Sequence, residues 1–245
     1  MKHTIIRNDE IKSGVFRMEF HFEDIPMPGQ FVMIDCGGRT LLKRPFSICD
    51  YNEGKMTVVY QVRGEGTYNL SKIKVNDEID VTGPHGHGFD IFDKFNNILV
   101  VGGGIGIPPL LFLSKKLRSK DINIVLGFRS DAFLIDEFSK CGNVLVTTED
   151  GSYGMKGYVT DAMKEIINEA DIDIIYGCGP KPMLNAIKDI SEKYKIPCQI
   201  SVEERMGCGI GACMTCACKT VTEDGYHYKK VCKDGPVFWA KEVVF

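Results

Sequence analysis

The sequence predicts an antiparallel β barrel or sandwich followed by a parallel α/β sheet, with a small cysteine-rich subdomain at the C-terminal end. Three observations predict it. The first third of the chain is a series of short Val-, Ile-, Phe- and Tyr-rich runs broken by Gly and Pro, and many closely spaced strands bury their apolar faces against one another. From Asn97 onward β-like and helical runs alternate, the pattern of a parallel sheet with helices on both faces. Between Cys208 and Cys218, four of the ten cysteines fall among glycines.

In the first part the expected strands are Thr4–Ile11, Val15–Phe22, Phe31–Asp35, Pro45–Cys49, Met56–Val62 and Glu78–Val81, with one short helix near Thr67–Ile73. Pro28-Gly29, Gly37-Gly38 and Asn52-Glu53-Gly54 supply the turns between them. The densest Gly/Pro stretch, Gly83 to Gly88, marks a domain boundary, so the expected units are residues 1–88, 89–202 and 203–245. In the second unit, strands at Asn97–Val101, Asn123–Phe128, Val144–Thr148, Asp173–Gly177 and Gln199–Val202 alternate with helices at Leu110–Leu117, Leu134–Ser139, Thr160–Asn168 and Pro182–Tyr194. Beyond them, Val221 and Tyr226–Val231 are expected to form a hairpin that returns Cys232 to the other cysteines, and the apolar end from Pro236 is expected to pack in the core.

Length and composition narrow the class. A chain of 245 residues holds one or two domains, and 44% hydrophobic with 26% charged residues is ordinary for a folded protein. A net charge of −3 with no long block of either sign gives no nucleic-acid surface and no polybasic membrane surface. No apolar run reaches membrane-span length. The first residues lack an apolar core with a cleavage site, so no export signal is expected. The cysteines are then thiols or metal ligands in a reducing cytoplasm rather than a disulfide framework.

Cys208, Cys213 and Cys216 are spaced C-x4-C-x2-C, and Cys232 follows after a further fifteen residues. This is the ligand spacing of plant-type [2Fe–2S] clusters, whose iron needs four soft anionic ligands. Structural zinc prefers pairs at C-x2-4-C, a poor match. Gly207, Gly209 and Gly211 suit a loop that must curl around a cluster. Cys218 lies two residues past Cys216, and the spacing selects Cys216. Cys36, Cys49, Cys141 and Cys198 read as buried thiols.

Two further stretches are strand, glycine turn and helix start. The first carries Gly102, Gly103, Gly104 and Gly106, with Pro109 where the last Gly of G-x-G-x-x-G would stand. The second carries Cys178, Gly179 and Pro180. Such turns bring phosphates to backbone N–H groups at a helix N-terminus, at the carboxyl edge of an open sheet. Cys178 is either a small thiol beside a nicotinamide ring or a plain buried thiol. In the first unit, Arg44-Pro45-Phe46-Ser47 offers a bidentate clamp for a diphosphate. Gly64-Glu65-Gly66-Thr67 offers N–H groups and a hydroxyl to the same group. The five histidines form no triad, no catalytic acid or base is expected, and His85 and His87 read as solvated loop residues.

Taken in order, RPFSI, GEGT, VGGGIGIPPLL, YGCGPKPML and EERMGCGIGACMTCACK resemble the ferredoxin–NADP reductase superfamily. Within it they are similar to the electron-transfer subunits of dihydroorotate dehydrogenase B. The resemblance runs the full length of the chain. It implies a barrel that binds FAD, with Arg44, Pro45, Phe46 and Ser47 along the flavin and its phosphates. Val59, Tyr60 and Gln61 would flank the isoalloxazine and ribityl chain, and Gly66 and Thr67 would hold the pyrophosphate. It implies a Rossmann-like domain that binds NAD(H) through Gly102, Gly103, Gly104 and Gly106 and through Cys178, Gly179 and Pro180. A small C-terminal subdomain would hold the [2Fe–2S] cluster on Cys208, Cys213, Cys216 and Cys232. The implied partner is an FMN-containing subunit that oxidises dihydroorotate, two of each forming a heterotetramer in pyrimidine biosynthesis. Arg129-Ser130 leaves NADP open on residues alone. The alternatives are the reductase module of another ferredoxin or sulfur oxidoreductase complex, and a non-catalytic redox sensor.

Overall fold

The computed structural model describes residues 1–245. Six strands close an antiparallel barrel in the order β1-β2-β5-β4-β3-β6. These are β1 (Lys2–Lys12), β2 (Val15–His21), β3 (Phe31–Ile34), β4 (Arg44–Asn52), β5 (Lys55–Gln61) and β6 (Glu78–His85). The helix α1 (Glu65–Ser71) bridges β5 to β6. Strand alternation explains the closure. Met56, Val58 and Tyr60 of β5 point into the barrel with Met18, Phe20, Val32, Ile34 and Ile48, while Val59 points outward. The outward face is apolar at Val15, Cys49 and Val59 because the second unit packs there.

That second unit is a seven-stranded sheet in the order β10-β9-β8-β7-β11-β12-β15. The parallel strands are β7 (Asn97–Gly103), β8 (Asp121–Phe128), β9 (Asn143–Thr148), β10 (Met155–Lys156), β11 (Ile174–Cys178) and β12 (Cys198–Ser201). Its helices are α2 (Pro108–Lys116), α3 (Ile135–Ser139), α4 (Val159–Glu169) and α5 (Lys181–Tyr194). Successive residues of β7 serve opposite faces, as a sheet covered on both sides requires. Ile98 and Val100 pack towards α2, and Leu99 and Val101 pack towards α4 and α5. Every residue of α2 from Pro108 to Ser114 is buried, because the helix is wedged between sheet and barrel. Leu110, Leu111 and Leu113 join the sheet-side core, and Phe112 joins the barrel core.

After β12 the chain forms the cysteine loop, the hairpin β13 (Ala217–Thr222) and β14 (Gly225–Lys230), and the short helix α6 (Val231–Asp234). It then returns to the sheet as β15 (Val237–Trp239), antiparallel to β12. Three elements go beyond the sequence reading. β10 has two residues, α6 has four and β15 has three, too short for any periodicity to show. The Gly/Pro stretch also behaves differently in part. β6 runs on through Gly83 and Pro84 to His85, so His85 is half-buried beside Phe31 at 5.7 Å rather than in a solvated loop. No helix is long and apolar enough to cross a membrane.

Candidate redox site

The four cysteines chosen by spacing form two pairs. The sulfurs of Cys208 and Cys213 are 3.4 Å apart and those of Cys216 and Cys232 are 3.2 Å apart. All ten cysteines are free thiols. A [2Fe–2S] cluster places two thiolates on each of its two irons, which this pairing supplies. A single tetrahedral zinc needs all its ligands around one point, whereas these sulfurs meet two by two. Local folding makes the arrangement. Gly209 and Gly211 take φ of +70° and +81°, open to glycine at no steric cost. A Cβ on Gly209 would stand 2.7 Å from Met33 of β3, and one on Gly211 would stand 2.8 Å from Lys233. Backbone N–H groups donate to the sulfurs, Gly211 to Cys232 at 3.2 Å, Cys213 to Cys208 at 3.4 Å and Cys232 to Cys216 at 3.5 Å. Such bonds stabilise thiolates and tune a cluster's potential. The Thr215 hydroxyl and the backbone beside it draw Cys213 down to about 6, and backbone N–H groups lower Cys208 as well. Burial pushes Cys232 up to about 12, so it ionises only with a cation beside it.

Cys218 lies outside the two pairs. It sits in β13, 5% exposed, and burial raises its thiol to about 11.

The two glycine turns meet at the carboxyl ends of β7 and β11. The chain builds outward from β7 through β8, β9 and β10, then crosses to β11 on its other side. This is the switch point at which open α/β sheets bind ligands. Cys178 pairs with Gly102 in the parallel ladder. A Cβ on Gly106 would lie 2.7 Å from Gly179, and one on Gly103 would lie 2.4 Å from the Met183 sulfur. Backbone packing between the turns therefore demands Gly106, whereas at Gly103 the obstacle is the flexible end of Met183. Gly104 differs, since its φ is +53° and a Cβ would meet nothing within 4 Å. Pro108 and Pro109 carry no N–H, so the donors for a phosphate come from the turn rather than from the first residues of α2. Cys178 is buried, and that burial pushes its thiol up to about 12, against a lowering hydrogen bond from Ser201 and with Glu203 adding to the rise.

On the barrel side, Arg44 and Ser47 are exposed at the start of β4 and Pro45 is half-buried. Phe46 and Tyr60 turn their rings into the barrel core, edge to face at 5.7 Å, and the Tyr60 hydroxyl donates to Asn8 at 3.0 Å. Only their backbone remains for a ligand outside the barrel. Val59 packs under the second unit, and Gln61 accepts from Arg63 Nε at 2.9 Å. Gly66 lies against Cys36, a Cβ there coming within 3.2 Å. Thr67 Oγ1 accepts from Arg63 N and Gly64 N at 2.9 and 3.2 Å, closing the first turn of α1. Burial raises the Cys36 thiol to about 11 while Arg44 opposes the rise.

A cleft of about 700 Å³ joins the stations. Arg44 and Pro45 line one wall, Gly179, Pro180 and Lys181 a second, and Glu203 to Met206 with Thr215 the third. Lys181 and Glu204 form an ion pair at 2.5 Å across it. Glu203 to Met206 and Lys181 stand within the quoted motifs but have no role in the sequence reading. Their signal is position, a charged run at the carboxyl end of the last parallel strand.

A closed barrel and a parallel sheet that share a cleft with a four-thiol loop define an iron–sulfur electron-transfer protein on the ferredoxin reductase fold. The chain is 54% identical over 246 residues to a protein of Caldanaerobacter subterraneus subsp. tengcongensis, covering 100% of this chain and 98% of that one. That relative is named dihydroorotate dehydrogenase B (NAD(+)), electron transfer subunit. The chain belongs to this family of electron-transfer subunits. A Fusobacterium nucleatum relative of the same name is 42% identical over 98% of this chain and 96% of its own. Residues 203–244 match the family model described as the iron–sulfur cluster binding domain of dihydroorotate dehydrogenase B. Among solved structures, an NADH-dependent reduced ferredoxin–NADP oxidoreductase studied for flavin-based electron bifurcation superimposes with TM-score 0.89 at 34% identity, over 99% of this chain and 89% of that one. Ferredoxin–NADP+ reductase from Plasmodium falciparum, at 19% identity, TM-score 0.64 and coverage of 79% and 92%, shares the fold.

Proposed function

We propose that the chain carries electrons between NAD(H), FAD and a [2Fe–2S] cluster, and exchanges them with a separate FMN-containing subunit that converts dihydroorotate to orotate in cytoplasmic pyrimidine biosynthesis. Two copies of each would form the heterotetramer, and the chain itself divides into units 1–88, 89–202 and 203–245. The observation that carries the reading is the shared cleft, in which the Arg44-Pro45 wall, the Gly179–Lys181 turn and the Glu203–Thr215 segment line one volume.

When bound, the cofactors supply hydride and single-electron transfer. The protein's own part is to bind, orient and shield. Arg44 offers the cationic fork for a phosphate, and Gly66 keeps α1 close against Cys36. Gly104 leaves room for a dinucleotide at the sheet edge, and Gly106 against Gly179 keeps the two turns in register. Cys178 stays a neutral thiol at neutral pH, so it adds no charge at the reacting end of a nicotinamide. Cys208, Cys213, Cys216 and Cys232 supply the four thiolates. NAD over NADP is supported at the far edge of the sheet. There one backbone bond ties Arg129 to the Glu149-Asp150 turn, Asp150 N–H donating to Arg129 O at 3.3 Å. Two carboxylates at that place disfavour a further phosphate.

The test is cofactor analysis of the purified chain. Equimolar FAD, two irons and two sulfides are expected, and anaerobic NADH should bleach both the flavin and the cluster absorbance. A colourless chain with stoichiometric zinc would overturn the reading. Co-purification of an FMN protein that oxidises dihydroorotate tests the partner.

A further inference from the structure

We propose that a second hollow, on the opposite edge of the sheet from the cofactor cleft, binds an aromatic anion of the nucleoside phosphate class. This inference is independent of the reading given to the cleft. The hollow has a volume of about 650 Å³, within the ~300–1,000 Å³ of small-molecule sites. Its walls come from the segment before β7, the C-terminal end of α5, the start of β12 and the turn after β15. It therefore lies at the amino edge of the parallel strands, whereas both glycine turns lie at the carboxyl edge.

Two chemistries meet in it. Phe92 faces Trp239 at 6.0 Å and 32°, with Phe95 edge-on to Phe92 at 5.4 Å, and all three are partly exposed. Aromatic side chains of this size usually bury themselves. All three pack partly against the core beneath the sheet, and each keeps part of its surface at the hollow, where a base can stack against Phe92 and Trp239. Lys94, Lys195 and Lys241 stand around that face, and none takes part in an ion pair of the chain. Glu192 and Glu242 also line the hollow, but lysines from outside it attend them, Lys188 at 3.9 Å and Lys229 at 3.0 Å. Lys195 has a structural task, since it ends α5 at the negative pole of the helix. Lys94 has no helix to serve, Lys241 stands in a single 3-10 turn, Ala240–Glu242, and the Lys94 ammonium sits 4.8 Å over the Phe95 ring. A stacking face with ammonium groups at its rim recognises a ring and a phosphate together.

Trp239 is the only tryptophan of the chain, so its fluorescence reads this hollow directly. The full chain, loaded with its cofactors, is titrated with UMP, because AMP would also enter a dinucleotide cleft. A saturable change with half-saturation below about 1 mM is expected, weakened about tenfold in K94Q/K241Q and about tenfold when uridine or inorganic phosphate replaces UMP. Both lysines are exposed, so the double variant should keep the wild-type thermal melt. No saturable change up to about 10 mM, unchanged affinity in the double variant, or uridine binding as tightly as UMP would each overturn the proposal.

Discussion

Gly106 and Gly179 are in backbone contact across the two nucleotide turns, so close that a Cβ on Gly106 would stand 2.7 Å from both Cα and N of Gly179. Nothing at that spot is a flexible side chain that could swing away. Gly106→Ala should therefore spread the turns, at an overpacking cost of about 1–3 kcal/mol. The KM for NADH with an artificial acceptor is expected to rise about tenfold, with FAD and iron content unchanged. Gly104→Ala is the comparison. A Cβ there is free of contacts, but φ is +53°, so its cost is the conformational strain of about 1 kcal/mol alone. Equal effects of the two substitutions would contradict the packing argument.

Cys218 is expected to have no part in the proposed cluster. It is buried in β13 and makes no hydrogen bond to another cysteine sulfur, while Cys216 and Cys232 face each other at 3.2 Å. Cys218→Ser is expected to retain two irons per chain and the wild-type visible spectrum. Cys232→Ser should lose at least half of the iron, measured by iron and sulfide analysis of protein purified without oxygen. Loss of iron in Cys218→Ser would reassign the ligands.

Buried thiols make stability fall in alkali. Burial pushes Cys49, Cys178 and Cys198 up to about 12, whereas the unfolded chain ionises them near the ordinary cysteine value. Their contribution is complete below about pH 8.5 and is lost as pH rises from there towards 12, since the unfolded state releases the protons first. The expected loss is on the order of 1 kcal/mol per thiol at pH 10. Urea unfolding between pH 8 and 10 measures it. Cys198→Ala should show a shallower decline than the wild type, whatever its stability at pH 8, and identical slopes would exclude this origin.

Much of this was legible before any coordinates. The strand runs, the alternation after Asn97 and the cysteine spacing all depend on short-range patterns, which sequence records directly. The proposed cluster ligands were legible as a spacing for the same reason, as Cys208, Cys213 and Cys216 lie on one loop. The direction of a side chain within a strand was not. RPFSI suggested four residues along a flavin, yet Phe46 faces inward on the pleat and packs against Tyr60. Alternation is visible in sequence, but which parity faces the core depends on the neighbouring strands. The pairing of Lys181 with Glu204 was not legible, because they are 23 residues apart and meet only where the sheet edge and cluster segment converge. β15 escaped because three apolar residues read equally as strand or core.

The orientation of barrel and sheet rests on a further relation that only the fold reveals. Arg17 of β2 and Glu137 of α3, distant in sequence, meet at 2.6 Å with side chains 17% and 31% exposed. Lys12 with Asp131, and Asp50 with Lys115, bridge the same two units nearby. Burial works against the charge on Glu137, but the hydrogen bond and proximity of Arg17 hold its carboxyl below the usual range. The pair's contribution is thus present above the unfolded carboxylate value, near pH 4.3, and lost as pH falls below it. Arg17 Nε has no partner and is buried, so removing Glu137 strands a guanidinium that burial already disfavours. Glu137→Gln is expected to destabilise the protein by about 1–3 kcal/mol at pH 7, and the difference from wild type should narrow towards pH 3. Because Glu137 touches no cofactor station, flavin and iron contents should hold while the rate of NADH-dependent flavin reduction falls, as the sheet loosens against the barrel. Denaturant unfolding and stopped-flow reduction measure the two effects. A variant with wild-type stability at pH 7 would show that the remaining ion pairs and α2 alone fix the two units.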